Sequence, residues 1–183
     1  MNQYYDDSLI FTARLISDYT EDKERVFALT YSLKDNSIII NESKNKKIEK
    51  PSRFLAKSLI RDPKNNLPYT TESFYIGARI NASGRIFEIV DAPEYTISFM
   101  EAHANMFHVS DIDLIFAEIR KSSSVYQQFK LNDPGSIGNV SNAKAIDVMD
   151  KHICKHSIIT LIRRFSRNDM FPYQKVLKYA EVK

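Results

Sequence analysis

The stretch "FKLNDPGSIGNVSNAK", residues 129–144, sets an aspartate four residues after an aromatic, then a glycine, a β-branched residue and a helix-forming run. This is the rhythm of a calcium loop, where oxygen ligands at positions 1, 3, 5 and 12 surround the ion and a glycine at position 6 makes the turn. With Asp133 at position 1, Gly138 takes position 6, Val140 position 8 and Lys144 position 12. Positions 3 and 5 fall on Gly135 and Ile137, which carry no side-chain oxygen. An ammonium ~4 Å from Ca²⁺ would repel it by about 8 kcal/mol at an effective dielectric of ~20. Micromolar binding releases only about 8 kcal/mol in all. The loop is expected to keep its geometry without binding calcium.

Other residues of chemical interest fare no better. A second helix–loop–helix, "IRRFSRNDMFPYQKVL", places five residues between Phe165 and Phe171, about three too few for a twelve-residue loop. "HICKH" groups His152, Cys154 and His156, all zinc-ligand types. On a helix the two histidines share a face while the cysteine points away; on a strand all three align. His103 and His108 are the other histidines, so polar surface on an inter-helix connection is expected there rather than a metal. Nothing signals a base across a cleft from Cys154, nor an oxyanion site. The four glycines are not spaced as a phosphate loop. Asp91 and Glu94 lie in a turn, where aspartate capping of backbone amides accounts for them. No catalytic residue, metal or cofactor is expected, and the chain reads as a protein that is not an enzyme.

At 183 residues the chain can bury a real core, and 43% hydrophobic with 27% charged residues is a globular composition. No run approaches 18 apolar residues and "MNQYYDDSLIF" lacks the plan of a signal peptide, so a cytosolic origin is expected. The single cysteine, Cys154, fits a reducing compartment, and Asn41, Asn81 and Asn139 are then not glycosylation sites. The net charge of +3 is unevenly placed. Residues 43–64 carry Lys44, Lys46, Lys47, Lys50, Arg53, Lys57, Arg61 and Lys64 against Glu49 and Asp62, a local +6 that leaves −3 elsewhere. Such a patch suits an acidic partner, with a solvated loop as the equal alternative, and its first seven cations are the candidate partner-binding residues. Nucleic acid ranks last among partners, because aromatics do not interleave the lysines.

The elements that position these residues change character along the chain. "LIFTARLIS" places Phe11, Ala13 and Leu15 on one face, and "RVFALTYSL" does so with Phe27, Leu29, Tyr31 and Leu33. "KDNS" makes a hairpin into "IIIN"; "FYIGARI" and "RIFEIV" flank the loop "NASG", and "DAPE" turns the chain into a further strand, "YTISFM". Gly77 marks a bend. Six or seven short strands predict a small antiparallel barrel or sandwich. From about residue 101 the period becomes helical. Ser110 is the expected N-cap of one helix carrying Ile112, Ile115, Phe116, Ile119, Tyr126 and Phe129. Ile146, Met149 and Ile153, then Ile158, Ile162 and Phe165, repeat the spacing, and "YQKVLKYAE" closes a four-helix tail.

"FLAKSL" and above all "YTTESFYIGARINASGRIFEIVDAPEYTISFME" resemble the DM-ten (DM10) domain of the EFHC (EF-hand domain-containing) family of ciliary proteins. The match runs from about Leu9 to Glu101. The resemblance implies an α+β protein: a pleckstrin-homology-like β-barrel over residues 1–105, then a helical degenerate EF-hand pair over 106–183. Longer members carry three such modules in tandem, where this chain carries one. What it implies about function is structural: a microtubule inner protein of the cilium or flagellum axoneme, bound to α/β-tubulin and neighbouring inner proteins in the doublet lumen, with no nucleic acid and no membrane. Acidic tubulin would suit the basic stretch. The alternative is a lipid- or calcium-responsive adaptor whose pleckstrin-like barrel holds phosphoinositide headgroups.

Overall fold

Alternation of apolar and polar residues makes the first strands of the computed structural model, which describes residues 7–43 and 52–181. The chain divides into two compact units, Met1–Ala102 and His103–Lys183. In the first unit β1 (Ser8–Leu15) buries Leu9, Phe11, Ala13 and Leu15, and β2 (Phe27–Ser32), antiparallel to it, buries Phe27, Leu29 and Tyr31. A short helix, α1 (Thr20–Lys23), lies between them. Beyond β2 the chain turns at Asn36 (φ 55°) while the Asp35 carboxylate accepts from the Ser37 amide, and β3 (Ile38–Glu42) returns. β4 (Ser52–Ser58) adds to β3 with an irregular register. β5 (Arg79–Ala82) and β6 (Arg85–Asp91) form a hairpin through Ser83 and Gly84, whose φ of 52° and 73° are those of a two-residue primed turn. β6 then pairs with β1, giving the antiparallel order β4-β3-β2-β1-β6-β5.

The sheet curls strongly. Phe54 of β4 meets Phe87 of β6 edge-to-face at 5.1 Å although three strands separate them in the order, and Phe27 packs against both rings. No pairing joins β4 to β5 among the described residues, so the expected barrel is a six-stranded half-barrel with two edges. Arg25 closes one rim: its guanidinium forks onto both oxygens of buried Glu42 (2.7 and 3.0 Å), also reaches Asp22, and lies over the Phe27 ring. A buried carboxylate needs such a bidentate partner.

Two expected strands are corrected. "YTISFM" is helical: α2 (Glu94–Ala102) follows Pro93, whose fixed φ suits a helix start, and buries Thr96, Ile97 and Met100 at helical spacing. Thr96 ties the helix to β1, its hydroxyl donating to the Ile10 carbonyl (3.1 Å) and accepting the Ile10 amide (3.3 Å). "FYIGARI" is strand only from Arg79; before it Gly77, at φ 99°, bends the chain and donates its amide to the Ile89 carbonyl.

The described residues of the second unit form five α-helices where four were expected: α3 (Ile112–Arg120), α4 (Val125–Leu131), α5 (Asn142–Met149), α6 (Lys155–Phe165) and α7 (Tyr173–Tyr179). The single helix read across residues 111–129 breaks at "KSSS": serine is a weaker helix former than the residues around it, and the Ser124 hydroxyl accepts from the Gln128 side chain. Its N-cap is Asp111, which accepts from the amides of Asp113 and Leu114; Ser110 is buried instead in a 3₁₀ turn. On α5 the buried residues are Ala145, Val148 and Met149, while Ile146 is exposed.

Candidate functional site

The loop between α4 and α5 is built from Asp133 outward. Pro134 presets a turn in which the Ser136 amide reaches the Asp133 carbonyl, and the chain then doubles back through Gly138 at φ 77°. The Asp133 side chain is 5% exposed. Its carboxylate accepts from the amides of Ile137 (3.1 Å) and Gly138 (2.7 Å) and from the Tyr173 hydroxyl (3.0 Å). Burial pushes its pKa up; the Gly138 and Ile137 amides, Tyr173 and the Lys144 charge outweigh that and hold it below the ordinary carboxylate value. Burial first, and then Asp133, push the Tyr173 phenol up to about 12. The carboxylate at position 1 of the loop therefore accepts three protein donors, two from the loop itself and one from Tyr173.

The remaining donor set does not fit calcium. Gly135 and Ile137 offer no side-chain oxygen, and the Lys144 ammonium lies 3.4 Å from the Asn132 carbonyl at the loop's entrance. The loop is joined to its counterpart by a minimal ribbon, β7 (Val140–Ser141) against β8 (Met170–Phe171), with Val140 opposite Phe171. Phe129 stacks parallel on Tyr173 (5.0 Å, 3°) and against Phe171 (6.1 Å), so the aromatics of both helix–loop–helix segments form one stack. The second loop is short because Asn168 and Asp169, at φ 49° and 59°, close a tight hairpin between Arg167 and Met170.

Gly138 suits its position chiefly through its backbone, with the Gln174 side chain packed against it. Its φ is left-handed, and a Cβ there would meet Gln174 Oε1 at 2.5 Å. Gly138→Ala is expected to destabilise by about 1–2 kcal/mol from backbone strain, with the displaced Gln174 adding to it. Gly84→Ala, at φ 73° with nothing near the added Cβ, should show the backbone part alone. Urea midpoints of the two variants check the ordering.

"HICKH" separates on folding. His152 and Cys154 are partly exposed on the α5–α6 connection, and Cys154 is the N-cap of α6. His156 is fully buried and not surface: its Nε2 lies 3.0 Å from the buried Ser110 hydroxyl. Among the described residues no three His, Cys, Asp or Glu side chains converge as a metal site. Burial, aided by Arg163, lowers the His156 pKa from 6.5 to about 4, so the ring is neutral in the fold. Stability should be intact above the ordinary histidine value and fall as pH drops from 6.5 toward about 4, by about 3 kcal/mol in all. Urea midpoints across that window check it; His156→Gln should flatten the decline.

The structure brings together only part of the basic stretch. Lys44, Lys46, Lys47 and Lys50 lie outside the described residues. Arg53 and Lys57 are exposed on β4, an edge strand, and Lys57 is paired with Asp35 at 2.6 Å. Arg61 lies in a separate bridge opposite Pro68 and donates to the Asn66 carbonyl. No helix among the described residues is long and apolar enough to cross a membrane.

Comparison with known proteins bears on the whole sheet unit. The family model of the DM10 domain matches residues 1–96, more than half of the chain. The chain belongs to the DM10 domain family. This DM10 chain is also 28% identical to EF-hand domain-containing family member C2 of Danio rerio over 86% of its length, and 30% identical to that of Gallus gallus over 90%. EF-hand domain-containing protein 1 of Homo sapiens is 28% identical over 85%. The DM10 chain spans about a quarter of the length of these curated relatives, 23–25%. The similarity extends past the DM10 unit into the helices, which is consistent with membership of the EFHC family.

Proposed function

We propose that this DM10 chain is a non-enzymatic structural protein of the ciliary axoneme, a microtubule inner protein that binds tubulin and neighbouring inner proteins in the doublet lumen. In this reading the curled sheet with α2 is a pleckstrin-homology-like module and the helical unit is a degenerate EF-hand pair. The observation that supports it is the coincidence of DM10 family membership with a loop in which the Tyr173 hydroxyl donates to the Asp133 carboxylate and Gly135 and Ile137 offer no side-chain oxygen. A helix pair that does not respond to calcium suits a permanent part better than a switch. The basic stretch gives the sheet unit an electrostatic preference for an acidic surface such as tubulin. The test is to follow a tagged copy through extraction of isolated axonemes: it should stay with the doublets through mild detergent and salt. Release with the soluble fraction or the membrane would overturn the proposal.

A further inference from the structure

We infer that the helical unit carries a docking groove for an acidic, amphipathic segment of a partner protein, a surface independent of the microtubule reading above. Among the helices of this unit lies an open cavity of about 720 Å³, bordered by α3 on one side and by the end of α6, β8 and α7 on the other. Its apolar lining includes Phe116 and Phe165, stacked at 6.1 Å, with Phe165 left half-buried. Met170 and Tyr179, 37% and 60% exposed, also line it. Large apolar side chains kept in water beside a groove are what a partner covers, and Met, Tyr and Arg are enriched in such surfaces.

Charge selects the occupant. Arg164, Arg167 and Lys175 all line the α6–β8–α7 side and are exposed, with Lys175 Nζ 6.0 Å from the centre of the Tyr179 ring. Asp113, at the start of α3, is the one carboxylate in the lining among the described residues. Three cations against one acid favour carboxylates carried beside apolar anchors, and Asp113 on the opposite side leaves a place for a basic residue of the same segment. That asymmetry fits a peptide with a fixed direction better than a uniformly anionic lipid surface.

The test uses the full chain and a displayed library of random peptides of about 16 residues, long enough for ~24 Å of helix. Selected clones should combine Asp or Glu with Leu, Phe or Met, and their affinity should fall with added salt. The double variant Arg164→Glu, Lys175→Glu should weaken them about tenfold or more, with an unchanged circular dichroism spectrum. Tyr179→Ala should weaken the same clones without altering their salt dependence. Clones that are not acid-rich, no enrichment at all, or clones indifferent to the charge reversal would each overturn the inference. So would phosphatidylserine vesicles displacing the peptides in a manner lost on the same charge reversal, or a peptide-free dimer abolished by it; these point to a lipid or a second copy.

Discussion

Asp133→Ala should lower the thermal midpoint of the helical unit by about 10 °C or more. The carboxylate is the common acceptor of the Ile137 and Gly138 amides and of the Tyr173 hydroxyl, and both Asp133 and Tyr173 are buried. Removing it leaves three donors without their acceptor, and each buried unpaired donor costs about 1–3 kcal/mol. Asp133→Asn keeps one acceptor oxygen and should fall between Ala and wild type. Tyr173→Phe removes one bond only and should have the smallest effect of the series. Circular dichroism melts of the full chain check this order. The pH dependence has a definite sign at both ends. Asp133, held below the ordinary carboxylate value, stabilises above that value and ceases to as pH falls through its lowered pKa. Tyr173 contributes fully below its ordinary value of 10.0 and loses its contribution as pH rises toward about 12.

Phe87→Ala should destabilise the sheet unit by about 3–5 kcal/mol. Phe87 is fully buried and holds edge-to-face contacts with Phe27 and Phe54, both at 5.1 Å, so it joins β6 to the far edge strand. Such contacts add about 0.5–1.5 kcal/mol beyond area burial, and the cavity left behind spans the curl. Ile86, its neighbour on the same strand, is 42% exposed on the other face. Ile86→Ala should therefore stay within about 0.5 kcal/mol of wild type. Urea denaturation of the two variants separates burial from strand propensity. Equal losses would mean that the curl does not rest on this aromatic cluster.

The residues that were legible in the sequence are those whose meaning is local. Asp133, Gly135, Ile137 and Lys144 stand at fixed offsets, so the mismatch with calcium follows from spacing alone, and the structure places Asp133 and Gly138 in the turn that spacing demands. Period-two alternation likewise located β1 and β2, the "KDNS" turn located β3, and the loop "NASG" located the β5–β6 hairpin.

What was missed depends on distant partners. Tyr173 lies forty residues from the carboxylate it satisfies, and nothing near it in the chain marks it as a donor. β4 has no alternation to read: its exposure pattern runs in pairs, because an edge strand on a curl buries Phe54 and Leu55 only partly. "YTISFM" alternates convincingly, yet Pro93 and Glu94 supply a helix start and Thr96 finds the free backbone of Ile10. Ile146 outranks Ala145 on any hydrophobicity scale, but close packing against the helical core takes the smaller residue. His156 shows the same limit: only the fold supplies Ser110, and with it the reason a histidine is buried there.

Calorimetry of the full chain with and without millimolar calcium decides whether the 129–144 loop is a locked structural element or an ion site. The expected result is one midpoint for wild type in both conditions, with Asp133→Ala lowering it equally in both. A midpoint that rises with calcium in wild type, and does not in Asp133→Ala, would contradict it.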